Sequence, residues 1–282
     1  LKHTDGYLDV RHSKARGSSR LYHQTWKPDA ETRAVVLLVH GLAEHSSRYA
    51  HVADHLTRRG IAVYTLDHYG HGKSDGHTGY VERFSVYLDG IAALLAKVKV
   101  EHPQEPLFLI GHSMGGLIAA AFLLDHQGMF RAAVLSGPAF KSDQAPPAIV
   151  IALIRLLSAL APTLPLIQLD ASGVSRDPAV LATYMNDPLV HHGKLSARLI
   201  AEMSAVMNST VARAAEISLP IVFMHGEDDQ LTSPSGSTEF FEKVVSKDKA
   251  LKIYPGLYHE IFNEPEQETV LEDMGNWLEA HL

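Results

Sequence analysis

Short apolar runs at residues 34–39 (AVVLLV), 61–66 (IAVYTL), 107–110, 132–135 and 221–224 recur along the chain, separated by longer segments with apolar residues three and four apart. This alternation limits the possible folds more than any other feature. A run of four to six apolar residues bounded by turn residues suits a strand buried on both faces. Such strands, joined through helices, build a mostly parallel sheet covered on both sides. The spacing predicts helices at 48–59, 83–100 and 114–126, and a last strand at 251–254. Residues 7–10 and 20–25 alternate more strictly and suit antiparallel edge strands.

The chain has 282 residues, 46% of them hydrophobic, enough for one sizeable core. No Ser/Gly tract, charge block or repeat divides it. Its 25 basic and 32 acidic residues give a formal charge of -7, spread along the sequence, so no electrostatic footprint for nucleic acid is present. The absence of cysteine excludes disulfides, thiolate metal sites and a cysteine nucleophile. The first twenty residues hold no apolar stretch of signal-peptide length, which makes cytoplasmic residence the expectation.

The strand rhythm breaks over 138–219, where no run reads as a strand. The chain therefore divides into a core at 1–137, an insertion at 138–219 expected to cap the C-terminal edge of the sheet, and the rest of the core at 220–282. Within the insertion Pro146-Pro147 precedes a helix-length run, 148–161, that Pro162 stops. Leu153, Leu156, Leu157 and Leu160 share one broad helical face, with Ile151 on the narrow sector beside Arg155 and Ser158. The run is shorter than the ~20 residues that span a bilayer, so a buried or interfacial helix is expected.

Gly111-His112-Ser113-Met114-Gly115 falls after a strand and before a helix, where a G-x-S-x-G nucleophile elbow must fall. A serine hydroxyl is a weak nucleophile at neutral pH and needs a base oriented by an acid. In this chain order the acid follows the serine and the histidine comes last. His259, in the loop after the last strand, is the candidate base. Glu227, Asp228 and Asp229 adjoin after strand 221–224, and sequence chemistry leaves Asp228 and Asp229 as alternatives for the acid. The oxyanion hole is expected from the backbone N–H groups of Met114 and Leu42. Asp67, His68 and His71 in "LDHYGHGKSDG" read as tight-loop residues rather than metal ligands, and the Walker pattern fails because Asp67 stands where glycine is required. His112 reads as a packing residue, and His191-His192 as solvent-facing.

With "HGLAEHSSRY", "LDHYGHGKSDG", "GHSMGG", "NDPLVHHG", "MHGEDDQL" and "YPGLYHEIFNEP" in view, the chain resembles the monoacylglycerol lipases, a branch of the α/β-hydrolase superfamily, over nearly its whole length. The resemblance implies an α/β-hydrolase fold with a helical cap, Ser113 as nucleophile, His259 as base, and Asp229 rather than Asp228 as acid. It also implies that Glu44 and Arg48 lie near a polar, glycerol-binding end of the pocket, although an acid and a base four apart at a helix start read by themselves as a surface pair. The implied reaction is hydrolysis of a monoacylglycerol or similar single-chain lipid ester through an acyl-enzyme, without cofactor or metal. Ile149, Leu153, Ile154 and Leu157 are candidates to line an acyl tunnel or to touch a membrane or micelle surface transiently. Lysophospholipid or short-chain ester hydrolysis, and a non-catalytic binding role, are the competing readings; the oligomeric state is not legible. The family often has glycine where this chain has Ala43.

Overall fold

The computed structural model describes residues 1–143 and 147–282; Pro146, the first of the expected Pro pair, lies outside them. In chain order the elements are β1 (Lys2–Arg11), β2 (Ser18–Lys27), β3 (Ala34–Val39), α1 (Ala50–Arg58), β4 (Ile61–Leu66), α2 (Ser85–Glu101), β5 (Leu107–His112), α3 (Met114–His126), β6 (Ala132–Ser136), α4 (Ala148–Leu160), β7 (Pro165–Gln168), α5 (Pro178–Asn186), β8 (Lys194–Ser196), α6 (Ala197–Ala212), β9 (Ile221–Gly226), α7 (Pro234–Lys243), β10 (Lys249–Tyr254) and α8 (Gln267–Glu279). Eight strands form one sheet in the order β1-β2-β4-β3-β5-β6-β9-β10. β1 and β2 are antiparallel at one edge; β4, β3, β5, β6, β9 and β10 run parallel to one another. This is the α/β-hydrolase architecture.

The apolar runs are continuous because both faces of the sheet are covered. In β3, Val35, Leu37 and Val39 face a core built with α2 and α3, while Ala34, Val36 and Leu38 face a second core built with α1 and α8. The expected strands are all present, several extended by one to five residues at an end where polar side chains hide the pattern. The helix expected from residue 48 begins instead as a 3-10 turn over Ser46–Tyr49 before α1.

The insertion departs from the expectation that it holds no strand. It contains two short strands, β7 and β8, paired antiparallel with an irregular register. At four and three residues they are too brief for an alternating pattern to register. α4 starts and stops where expected, but its buried stripe is Ile154 and Ser158, and the broad face of Leu153, Leu156 and Leu160 is exposed. Arg198 on α6 donates to the Ser158 carbonyl at 2.9 Å, and α4 packs chiefly on α6. Among the described residues no helix is long and apolar enough to cross a membrane.

α3 approaches β3 so closely that a Cβ on Gly115 would lie 2.1 Å from the Val39 carbonyl oxygen and 2.4 Å from that of His40. Backbone cannot move aside as a side-chain tip can. Gly115→Ala is therefore expected to lower the unfolding free energy by about 3 kcal/mol, the upper range for overpacking a core, measured by urea denaturation. A change below a few tenths would show that this contact does not set the helix position.

Candidate active site

The loops that follow β3, β5, β9 and β10 all leave the C-terminal edge of the sheet, which brings residues 41–44, 113, 229 and 259 to one place. β5 ends at His112 and α3 begins at Met114, so Ser113 alone makes the turn. Its backbone has φ 56 and ψ -121, a region that costs an L-residue of order 1–3 kcal/mol. The surrounding structure holds it there. Ser113 N–H donates to the Ser136 carbonyl at 2.9 Å, and the Ser113 carbonyl accepts from Ala139 N–H at 3.0 Å. A Cβ on Gly111 would lie 2.4 Å from the Gly115 carbonyl oxygen, so the two flanking glycines let the turn close on itself.

Ser113 and His259 line the same cavity. The His259 ring lies 4.8 Å from that of buried His112, whose Nδ1 pairs with Ser136 Oγ at 3.1 Å, so His112 packs as the sequence suggested. Among the described residues no hydrogen bond yet joins Ser113 Oγ to the His259 ring; catalytic contacts of this kind often tighten only when substrate binds.

Burial and partners distinguish the two candidate acids. Asp228 is exposed, whereas the Asp229 carboxylate is wholly buried. His259 Nδ1 donates to Asp229 Oδ2 at 2.6 Å, which fixes the proton on Nδ1 and leaves Nε2 free to accept. The same oxygen receives His225 Nε2 at 3.0 Å and the Thr232 hydroxyl at 2.9 Å. Oδ1 accepts the N–H groups of Leu231 at 2.8 Å and Thr232 at 2.9 Å. Burial alone would raise the Asp229 carboxyl, but the His259 charge and the donors from His225 and His259 outweigh it and hold it far below the usual range. Burial alone would lower the His259 imidazole; the charge and hydrogen bond of Asp229, with Glu260 and Glu44, outweigh that and raise it.

Leu42 and Met114, expected from the sequence to supply the oxyanion donors, sit together at the cavity. Among the described residues neither N–H donates to a backbone or side-chain acceptor. Ala43 adopts φ 67, a left-handed conformation that glycine would take without strain. Its carbonyl accepts His191 N–H at 2.8 Å.

Glu44 and Arg48 are not a surface pair, because both are buried or nearly so. Glu44 reaches the cavity wall, yet its oxygens already accept Gly41 N–H at 2.6 Å, Tyr49 Oη–H at 2.6 Å and Arg48 at 2.8 Å. Arg48 lies behind that wall, bidentate to Glu260 and 4.8 Å under the Tyr184 ring. Together they tie the loop after β3 to the residue after His259.

Sequence reading missed what the N-D-P-L stretch does. Asp187 Oδ2 pairs with His45 Nε2 at 2.9 Å, and His191, half-buried rather than solvent-facing, holds Ala43. On the other side of the site Glu260 N–H donates to the Val174 carbonyl at 2.9 Å, and Arg176 N–H to Glu264 Oε1 at 2.7 Å. Asp67, whose oxygens accept Ser46 N–H and Lys73 N–H at 2.8 Å each, closes the loop beneath.

The cavity holds about 230 Å³. Its apolar wall includes Leu42, Met114, Leu195, Ile200, Met203 and Met207. Ile149, Leu153, Ile154 and Leu157 do not line it. Ile149 and Leu153 are 80% and 54% exposed, and Ile154 is buried on the stripe that α4 turns inward. α6 takes the place beside the cavity that the sequence reading gave to α4.

The sequence profile of the hydrolase family described as serine aminopeptidase, S33, matches residues 30–266. A monoacylglycerol lipase of Mycolicibacterium smegmatis is 42% identical over 266 residues, 94% of this chain and 95% of that protein. The chain belongs to the monoacylglycerol lipase branch of the α/β-hydrolases. The crystal structure of Paleococcus ferrophilus monoacylglycerol lipase superposes with a TM-score of 0.85 at 33% identity, covering 93% of this chain and 99% of that one. A soluble variant of monoglyceride lipase from Saccharomyces cerevisiae, in complex with a substrate analog, does so at 0.83 and 27% identity, covering 97% and 96%.

If His259 is the base, it must be neutral to accept a proton, and its imidazole is raised above the ordinary value near 6.5. The base is lost as pH falls through the raised value, so the acid limb of kcat/KM is expected above about 6.5. A profile flat to pH 4 would remove His259 as the base.

Proposed function

We propose that this protein hydrolyses the ester bond of monoacylglycerols to fatty acid and glycerol, as a carboxylic ester hydrolase with Ser113, His259 and Asp229 as its triad. One observation carries the reading: Ser113 and His259 open onto a single apolar cavity, with buried Asp229 hydrogen-bonded to the far side of the imidazole. In this reading His259 Nε2 takes the Ser113 hydroxyl proton as Oγ attacks the ester carbonyl. The Leu42 and Met114 N–H groups receive the oxyanion of the tetrahedral intermediate. The same proton passes to the glycerol oxygen as the C–O bond breaks, and water, deprotonated by His259, then releases the fatty acid from Ser113.

The wall accounts for the substrate class. A single acyl chain gains about 0.8 kcal/mol for each CH₂ removed from water, and three methionines supply adaptable apolar surface. Glu44 and Glu260 give the cavity a polar end toward the glycerol. Residues 138–219 act as a cap on the two core parts, 1–137 and 220–282. The exposed apolar side of α4, with Ile149, Leu153, Leu156 and Leu160, seats the cap reversibly on a membrane or micelle.

A fluorophosphonate is expected to label the wild type and not Ser113→Ala, with monoacylglycerol turned over faster than lysophosphatidylcholine or butyrate esters. A chain inert to the probe would sink the hydrolase reading, and a reversed order would move the substrate class. Replacing Leu153, Leu156 and Leu160 together by serine is expected to abolish liposome flotation while turnover of a water-soluble ester stays within about twofold; unchanged flotation would refute the lipid contact.

A further inference from the structure

Asp229 carries a second imidazole that the reaction as written does not use. His225, the next-to-last residue of β9, is fully buried. Its Nε2 lies 3.0 Å from Asp229 Oδ2, the oxygen that also holds His259. Its Nδ1 lies 2.7 Å from the hydroxyl of Ser237 on α7, which is also fully buried. The Asp229 carboxylate can only accept, so the proton of a neutral His225 must sit on Nε2. Nδ1 then presents a lone pair, and the Ser237 hydroxyl must donate to it. The Thr232 carbonyl, 3.2 Å from Nε2, is a further acceptor on the same side and favours the same tautomer.

We propose that His225 is a positioning residue for the triad, its Nε2–H fixed by Ser237 so that it holds Asp229 in place and shares the carboxylate oxygen with His259. The proposal rests on the assignment of Ser113, His259 and Asp229 and extends it to a relay of five side chains, Ser237, His225, Asp229, His259 and Ser113. The physical effect has a sign. Each donor on a carboxylate lowers its basicity. Removing the His225 donor leaves more electron density on Oδ2, strengthens its bond to protonated His259 and shifts the acid limb of catalysis upward. His259 also faces His112, Glu44 and Glu260. None of these is hydrogen-bonded to His225; Asp229 Oδ2 and the Thr232 hydroxyl, 3.3 Å from both His225 Nε2 and His259 Nδ1, link the two rings, and a shift in its variants passes through that pair.

The test compares His225→Gln, which keeps an amide donor near the Nε2 position, with His225→Leu, which has none, and with Ser237→Ala. His225→Leu is expected to lower kcat about tenfold or more with little change in KM, and to raise the acid-limb midpoint by roughly half a pH unit. His225→Gln should restore most of the rate and the wild-type midpoint, and Ser237→Ala should fall between. Equal damage in Gln and Leu variants, or slow turnover with an unmoved midpoint, would overturn the proposal in favour of simple packing. Should His225→Leu fail to fold, ¹⁵N imidazole shifts of the wild type at pH 8 decide instead: a protonated Nε2 is expected, and a protonated Nδ1 overturns it. Labelling and turnover of the wild type in the same buffers report on the triad itself, so failure of either reading is seen separately.

Discussion

A carboxylate shut away from water must find its donors in the protein, and Asp229 has five within hydrogen-bond distance. Leaving such a charge unpaired would cost several kcal/mol, so the loop after β9 can take only a shape that delivers the N–H groups of Leu231 and Thr232. That shape presents Oδ2 to His259, fixes the imidazole tautomer and leaves its other nitrogen toward the cavity. The Ser113 turn is the complementary constraint. Its unfavourable backbone survives because neighbours on both sides hold it and because Gly111 and Gly115 leave no side chain in the way.

The two halves of the site are joined through the insertion rather than through the sheet alone. One side of the insertion holds the loop after β3, through Asp187 on His45 and His191 on Ala43. Its other side holds the loop after His259, through Val174 on Glu260 and Arg176 on Glu264. Arg48 closes the circuit by bridging Glu44 and Glu260. Fixed donors aimed at where charge develops are worth more than mobile ones, so under the proposed reaction these otherwise unreactive ion pairs bear on rate.

Much of this was legible in the sequence. Strands buried on both faces announce themselves as apolar runs, and a serine between glycines at a strand–helix junction has few structural uses. Position along the chain singled out His259, which shares a cavity with Ser113. Other parts were illegible for physical reasons. Asp228 and Asp229 are chemically alike, and only burial separates them. Glu44 and Arg48 at helical spacing look like a solvated pair until Tyr184 and Glu260 are folded over them. His225 reads as one of 18 histidines, because its role depends on Ser237 twelve residues away. α4 shows apolar residues nearly all round, so no pattern told which side would turn inward.

The seating of α4 on α6, away from the sheet, makes that helix an interchangeable fitting. Its exposed residues bear on neither the hydrogen-bonded circuit nor the wall of the cavity. Substitution or grafting there would leave the buried hydrogen bonds and the cavity below as they are, so the lipid contact proposed for this face can be varied by itself.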